Sequence, residues 1–354
     1  MTTTSPAEEL AHEISALQTQ VGWLQEGVRL STLKDAVEDI QTTVESLDQR
    51  LAGLRGRGYV FEKGLEAQAT DYAQQWNKLY PSVAQQISAQ AARLQGSLVP
   101  LETQVNQLAG MSNNPAAARP MLASLKTGID TLKDKVSASE RSIGGMYDQF
   151  NQQLSALTSH LDKVDWTLSQ LAEASFQLLA TEAGIMAVKA VWAKSGKEGK
   201  GDPQGVLYLT DQRLIFERKE EVATKKVLFI ATEKETVQEL GLEAPLALVE
   251  KVETSKQGLL KNEDHIEIKL AVGAPVQSAH FHIWQPCEEW QRLIQRAKAK
   301  DFDKERAVAL DQAAVEKVKS APSQCPSCGG NIQQVVLRGQ DSLKCQYCGY
   351  VIRL

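Results

Sequence analysis

The chain is expected to be a multidomain α + β protein, and three observations predict this. Apolar residues recur every three or four positions over the first half, short β-branched runs divided by turns fill the third quarter, and two CxxC pairs lie within the last thirty residues. They imply a long N-terminal α-helical coiled coil or bundle over 1–180 and a seven-stranded β-barrel with a C-terminal helix over 181–302. A helical linker over 303–321 and a small four-cysteine β-hairpin over 322–354 complete the chain.

The helical region runs from about Ala7 to Leu179. Leu10, Ile14, Leu17, Val21 and Leu24 form one apolar stripe, which changes phase near Gly27 and resumes as Leu30, Leu33, Val37, Ile40, Val44, Leu47, Leu51 and Leu54. A phase change beside a glycine, with Ser31 and Thr32 as caps, predicts a helix break. Gly56 and Gly58 mark a second interruption. A third helix is expected from Val60 to Leu108, kinked or divided at Pro81 and at the Gly96–Pro100 stretch. Gly110-Met-Ser-Asn-Asn-Pro115 is a turn, and beyond it Leu122 to Leu171 keeps heptad spacing. The turn allows an antiparallel hairpin within one chain, and the same stripe also suits a homo-oligomer.

Seven strands are read over Gly184–Ala193, Val206–Leu209, Arg213–Arg218, Lys226–Ala231, Leu246–Val252, Asp264–Ala271 and Ser278–Trp284. An amphipathic helix follows from Pro286 to Lys300, burying Trp290, Leu293, Ile294 and Ala297 on one face. Seven strands and one closing helix resemble the pleckstrin-homology (PH) superfold. Gly205-Val-Leu-Tyr-Leu-Thr-Asp-Gln-Arg-Leu-Ile-Phe216 is similar to the signature of GRAM and bacterial PH-like domains, and Pro245-Leu-Ala-Leu-Val249 is similar to a later step of that family. In this hairpin Leu207 and Leu209 should share a face with Leu214 and Phe216. The resemblance implies lipid or protein binding without catalysis, through a basic loop between the first two strands. Here that loop carries Lys194, Lys197 and Lys200, to which Lys189, Arg213, Arg218, Lys219, Lys225 and Lys226 could add. Glu198, Asp202, Glu217, Glu220 and Glu221 offset much of the charge.

Cys325-Pro-Ser-Cys328 and Cys345-Gln-Tyr-Cys348 are separated by sixteen residues, a spacing that brings four thiolates to one metal. Four cysteine ligands predict a closed structural site holding one Zn2+, with no open position for water or substrate. The glycines after Cys328 and Cys348 let the backbone turn its amides toward the sulfurs. Ile332–Leu337 and Leu343-Lys344 are expected to pair around Arg338-Gly-Gln-Asp341. The knuckles resemble the zinc-ribbon family over about Ala321 to Leu354. Nucleic-acid-binding ribbons carry basic clusters, and only Arg338, Lys344 and Arg353 are present here, so nucleic acid is disfavoured. With its polar linker, the ribbon is expected to be tethered rather than buried, unless Val308 and Val315 dock.

The 354 residues have room for two or three domains, and a net charge of −5 gives no general drive toward nucleic acid or anionic lipid. No apolar run is long enough to span a bilayer, and the start lacks the features of a signal peptide. With reduced thiols needed for the metal, the cytoplasm is the expected compartment, with peripheral membrane contact as an option. His280 and His282 share one face of a strand, but a metal there needs a third ligand, for which only His265 and Cys287 suggest themselves. Cys287 begins a helix, which should lower its pKa, yet no base stands beside it in the sequence. No phosphate loop, HExxH or GxSxG occurs.

The expected function is that of a non-catalytic adaptor, resembling bacterial proteins that join a coiled coil, a GRAM or PH-like domain and a zinc ribbon. It would bind a protein partner or a membrane. Nucleic-acid regulation through the ribbon, and filament formation or membrane remodelling by the helices, are the alternatives.

Overall fold

The computed structural model describes residues 6–111, 114–227 and 230–354, with side chains for all of these except 6 and 222–235. The chain divides into two compact units. One comprises Met1–Asp48 and Ala67–Leu157, and the other Gln49–Glu66 and Thr158–Leu354.

Four helices dominate the N-terminal half: α1 (Pro6–Gly27), α2 (Ser31–Gly56), α3 (Leu65–Ala109) and α4 (Pro115–Ala172). The phase change in the apolar stripe is a true break. Leu30 between α1 and α2 takes a left-handed φ of 53°, uncommon for leucine, and is held there by complete burial. The third helix starts at Leu65 rather than Val60, and Pro81 and Pro100 do not divide it. Tertiary packing therefore overrides the local cost of proline.

In the first unit the helices form an intramolecular bundle. Lys126 Nζ donates to Glu13 Oε2 at 2.6 Å and Lys133 Nζ to Gln20 Oε1 at 3.4 Å, both across 113 residues, which makes α1 parallel to α4. α3 runs against them, since Gln25 meets Glu102 whereas Gln41 accepts from Trp76 Nε1 at 2.5 Å. Trp76 stacks on Phe150 at 5.2 Å. The stripe residues Leu10, Ile14, Leu17, Val37, Val44, Leu125, Ile129 and Leu132 are buried within the single chain. Heptad spacing thus reports an internal seam.

The second unit is built on one seven-stranded antiparallel sheet: β1 (Gly184–Trp192), β2 (Gln204–Thr210), β3 (Arg213–Val227), β4 (Ile230–Pro245), β5 (Val249–Gln257), β6 (Glu263–Leu270) and β7 (Ser278–Ile283). Its order is β4-β3-β2-β1-β7-β6-β5, so β4 and β5 are edges and the expected barrel is not closed by hydrogen bonds. Helix α5 (Cys287–Lys298) follows and buries Trp290, Ile294 and Ala297. Of the expected fourth strand, 226–231, residues 228–229 lie outside the described residues; Lys226 and Val227 end β3, and the fourth strand runs over the charged stretch Ile230–Pro245. Leu246–Leu248, expected in the fifth strand, is a 3-10 turn before β5. Leu207 opposes Phe216 and Leu209 opposes Leu214, all four buried as expected of the hairpin.

The ends of the long helices belong to this unit. Thr167 Oγ1 of α4 accepts from Ala187 N at 2.8 Å, and Trp166, Leu171 and Phe176 cover Ala187, Val206, Tyr208 and Ile215 of the sheet. Arg50 Nη2 of α2 bonds Asp162 of α4 at 2.6 Å.

Trp76→Ala should lower stability by about 3–5 kcal/mol, because it removes a fully buried ring in contact with Phe150. The midpoint of urea unfolding checks this. Gly205→Ala should cost about 1–3 kcal/mol, since a Cβ there would stand 1.9 Å from the Glu217 carbonyl oxygen across β2–β3. Thermal unfolding would reveal it as a lowered Tm.

Candidate functional site

The two cysteine knuckles have the same internal wiring. Gly329 N donates to Cys325 O at 2.8 Å and Gly349 N to Cys345 O at 3.0 Å, and both glycines hold positive φ, 70° and 75°. Those conformations favour glycine, which explains the residue after each second cysteine. Cys325 N returns to Gly330 O and Cys345 N to Tyr350 O, both at 2.9 Å. All four sulfurs lie within 4.8 Å of one another, a set that could hold one metal ion. Cys325 Sγ to Cys348 Sγ and Cys328 Sγ to Cys345 Sγ are each 3.7 Å, far beyond a disulfide bond of about 2 Å. The amides of Cys348 and Tyr347 pull the Cys345 thiol down to about 6. The Gly330 amide draws the Cys328 thiol down, but its hydrogen bond with Cys348, burial and the contact with Cys345 together push it up to about 12.

Pairing around the centre differs from expectation. The strands are β8 (Ser342–Lys344) and β9 (Val351–Arg353), which flank the second knuckle, while 332–337 forms none. The Arg338–Asp341 loop is thereby freed to dock on the sheet. Gln212 Nε2 donates to Arg338 O at 2.9 Å, and Arg338 N donates to Gln212 Oε1 at 2.5 Å. The Arg338 guanidinium bonds Asp211 and, at 3.2 Å, Asp303. Asp211 also takes Arg306 Nη1 at 2.7 Å and accepts from Ala183 N at 3.0 Å. Burial pushes the Asp211 carboxyl up, while that amide, Arg338 and Arg306 draw it back. Gly339 has φ 79° and a Cβ there would sit 2.8 Å from Ala180 N, so the loop tip needs glycine.

The linker is clasped as well. After α6 (Asp301–Lys304), Ala307 N donates to Val60 O at 2.7 Å and Lys63 N to Glu305 O at 2.9 Å. Phe61 meets Phe302 edge-on at 5.6 Å, and Arg306 lies over the Phe61 ring. Only α7 (Gln312–Lys319), capped by Asp311, keeps the expected helical character. The ribbon is docked rather than tethered. Val315 lines a cavity of about 400 Å³ between it and the sheet, with Leu246, Val318 and Val336, whereas Val308 stays exposed.

The nominated basic residues separate into two kinds. Arg213 is only 4% exposed and cannot reach a headgroup. It grips Glu182, with Nη2 to Oε2 at 2.5 Å, reaches Glu243 at 2.8 Å and donates to Gln177 O at 3.0 Å. Lys194, Lys197 and Lys200 are exposed on the β1–β2 loop, Lys194 lying over the Trp192 ring at 5.1 Å. Arg218 pairs with Glu220 and Glu239, and Lys219 with Glu173. The side chains of Lys225 and Lys226 fall outside the described residues. The sheet's connections also expose apolar side chains that sequence reading passed over: Leu259 and Leu260 at 100% and 82% between β5 and β6, and Val272 at 100% between β6 and β7.

Cys287 behaves oppositely to expectation. Burial, then the bonded Asp264 carboxylate, pushes its thiol up to about 12, overriding the helix start. His280 and His282 share the outer face of β7 as expected, and His265 of β6 joins them. Burial, and then the neighbouring imidazoles, hold His265 below its ordinary range.

The chain matches no protein-family model, and no curated protein matches it by sequence. Among solved structures it is similar to the Vps36 N-terminal PH domain at 15% identity, covering 35% of this chain and 85% of that one, with a TM-score of 0.24. It is also similar to the DH/PH domains of p115-RhoGEF, at 13% identity over 82% of this chain and 92% of that one, with a TM-score of 0.22. Among the described residues, no helix is long and apolar enough to cross a membrane.

Arg338→Ala should loosen the ribbon from the sheet at a cost of about 1.5–3 kcal/mol, the worth of bonds to buried charge. Limited proteolysis should then cut within 305–324 while the sheet domain stays intact. Unchanged cleavage would mean that the junction does not hold the ribbon.

Proposed function

We propose that this chain is a non-catalytic adaptor that docks on an acidic membrane or protein surface through the connecting loops of a PH-like sheet domain. The carrying observation is how its side chains are distributed. Arg213, Arg306 and Arg338 are engaged internally, while Lys197, Lys200, Leu259, Leu260 and Val272 project from loops with no fold-building role. The β1–β2 and β6–β7 loops leave the same end of the antiparallel sheet, while Leu259 and Leu260 are exposed at the other end. Lys197, Lys200 and Val272 therefore suit a surface that offers both negative charge and apolar depth. Seven antiparallel strands followed by one helix support the PH-like reading.

Zinc is the ion we assign to Cys325, Cys328, Cys345 and Cys348. Four thiolates at about 2.3 Å from a tetrahedral zinc stand about 3.8 Å apart; Cys325–Cys348 and Cys328–Cys345 stand 3.7 Å apart, with all four sulfurs within 4.8 Å of one another. With four protein ligands the centre is closed, so its role is to fold the ribbon. Arg338, one of the few cations of the ribbon, is occupied by Asp211 and Asp303, which weakens the nucleic-acid alternative. The bundle buries its stripe within the single chain and extends the adaptor's reach.

Flotation of the full-length protein with neutral and anionic vesicles, at low and physiological salt, tests the docking reading. We expect salt-sensitive binding to anionic vesicles, reduced at least about tenfold by Lys197→Glu with Lys200→Glu and reduced also by Val272→Ser, whose exposed side chain leaves the same end of the sheet. If no vesicle floats the protein, the acidic surface is not a membrane. For the metal, one zinc per chain is expected by elemental analysis. Chelation or Cys345→Ser should expose 321–354 to protease, because so small a core of Leu343 and Ile352 cannot fold unaided.

A further inference from the structure

Away from the four cysteines, three imidazoles and a loop carboxylate converge on the outer face of the β6–β7 hairpin. His265 and His282 stand opposite each other in register, with rings stacked at 4.7 Å and 15°. Trp284 extends the stack over His282 at 4.3 Å. His265 Nδ1 lies 3.0 Å from His280 Nε2. From the β1–β2 loop, Glu198 Oε2 comes within 2.6 Å of His282 Nδ1. One donor atom from each of Glu198, His265 and His282 lies within 4.8 Å of the other two.

Ring packing alone would account for the stack, but two features go further. His265 is 1% exposed, and its Nε2 has no hydrogen-bond partner; Glu263 Oε2 stands off at 3.7 Å. Buried ring nitrogens are ordinarily bonded, so an unpartnered one asks for a ligand. Its other nitrogen faces His280, the outer contact by which metal-ligating histidines are held in orientation. The approach of Glu198 then brings a negative charge to two imidazoles, the donor chemistry of a first-row divalent ion.

We propose that Glu198, His265 and His282 form a second metal site, for a divalent transition cation such as nickel or zinc, positioned by His280. Two imidazoles and one carboxylate suit these ions better than calcium or magnesium, which take oxygen ligands. Bound there, the cation fastens the β1–β2 loop to the sheet through Glu198 and fixes where Lys197 and Lys200 project. The site is independent of the docking reading, since its ligands differ from the exposed lysines and leucines.

The test uses full-length protein whose cysteine centre has first been loaded with zinc. Ni2+ is titrated by calorimetry, and tryptophan fluorescence is followed in parallel. The expected result is one saturable Ni2+ per chain, weakened at least about tenfold by Glu198→Gln and by His282→Ala, with zinc retained. Quenching should accompany binding and be lost in Trp284→Phe. Glu198→Gln alters an exposed loop side chain and keeps the variant series interpretable if His282→Ala unfolds. Absence of saturable Ni2+ binding, or equal binding by wild type and Glu198→Gln, overturns the proposal.

Discussion

Asp211 is the constraint on which the second compact unit depends. It sits in the tight turn between β2 and β3, buried, and its charge is tolerable only with partners. Those partners come from elsewhere in the chain: Ala183 before β1, Arg306 of the linker and Arg338 of the ribbon. One carboxylate thus fixes the hairpin turn, the linker and the four-cysteine tail together. Beside it, Gln212 exchanges two hydrogen bonds with the backbone of Arg338, which adds direction to the charge pairing. The neighbouring Glu182–Arg213 pair repeats this logic, since a buried guanidinium needs a buried carboxylate.

This internal use of charge shapes the functional reading. Arg213, Arg306 and Arg338 are drawn inward, and Lys194, Lys197 and Lys200 stay on flexible stems at the surface. Lysine is the more strongly hydrated cation, so this division follows ordinary desolvation costs. Glu198, which in sequence reads as an offset to Lys197 and Lys200, meets His282 Nδ1 in the fold.

Much of this was legible in the residues. The heptad stripe located the bundle helices and the α1–α2 break, and the CxxC-Gly pattern located the sulfur cluster and its positive-φ glycines. Leu207, Leu209, Leu214 and Phe216 gave the β2–β3 hairpin its register. Other features escaped for physical reasons. β4 is rich in Glu, Lys and Gln, as suits an edge strand with solvent beside it, and so lacks the alternation that marks a half-buried strand. Arg213 reads as a surface cation until Glu182, 31 positions away, is seen to bury with it. His265 joins His282 only through the β6–β7 register, which a seven-residue connection does not reveal. The docking of Arg338 on Asp211 spans 127 positions, and no local pattern announces it.

The central claim is that the cysteine ribbon is a fixed part of the sheet domain, held at Asp211. Backbone 15N relaxation on the metal-loaded full-length protein tests this directly, because it reads tumbling and fast motion residue by residue. The account predicts that 325–354 share one correlation time with β1–β7, with high order parameters at Arg338 and Gly339. Faster, independent tumbling of the ribbon would contradict it.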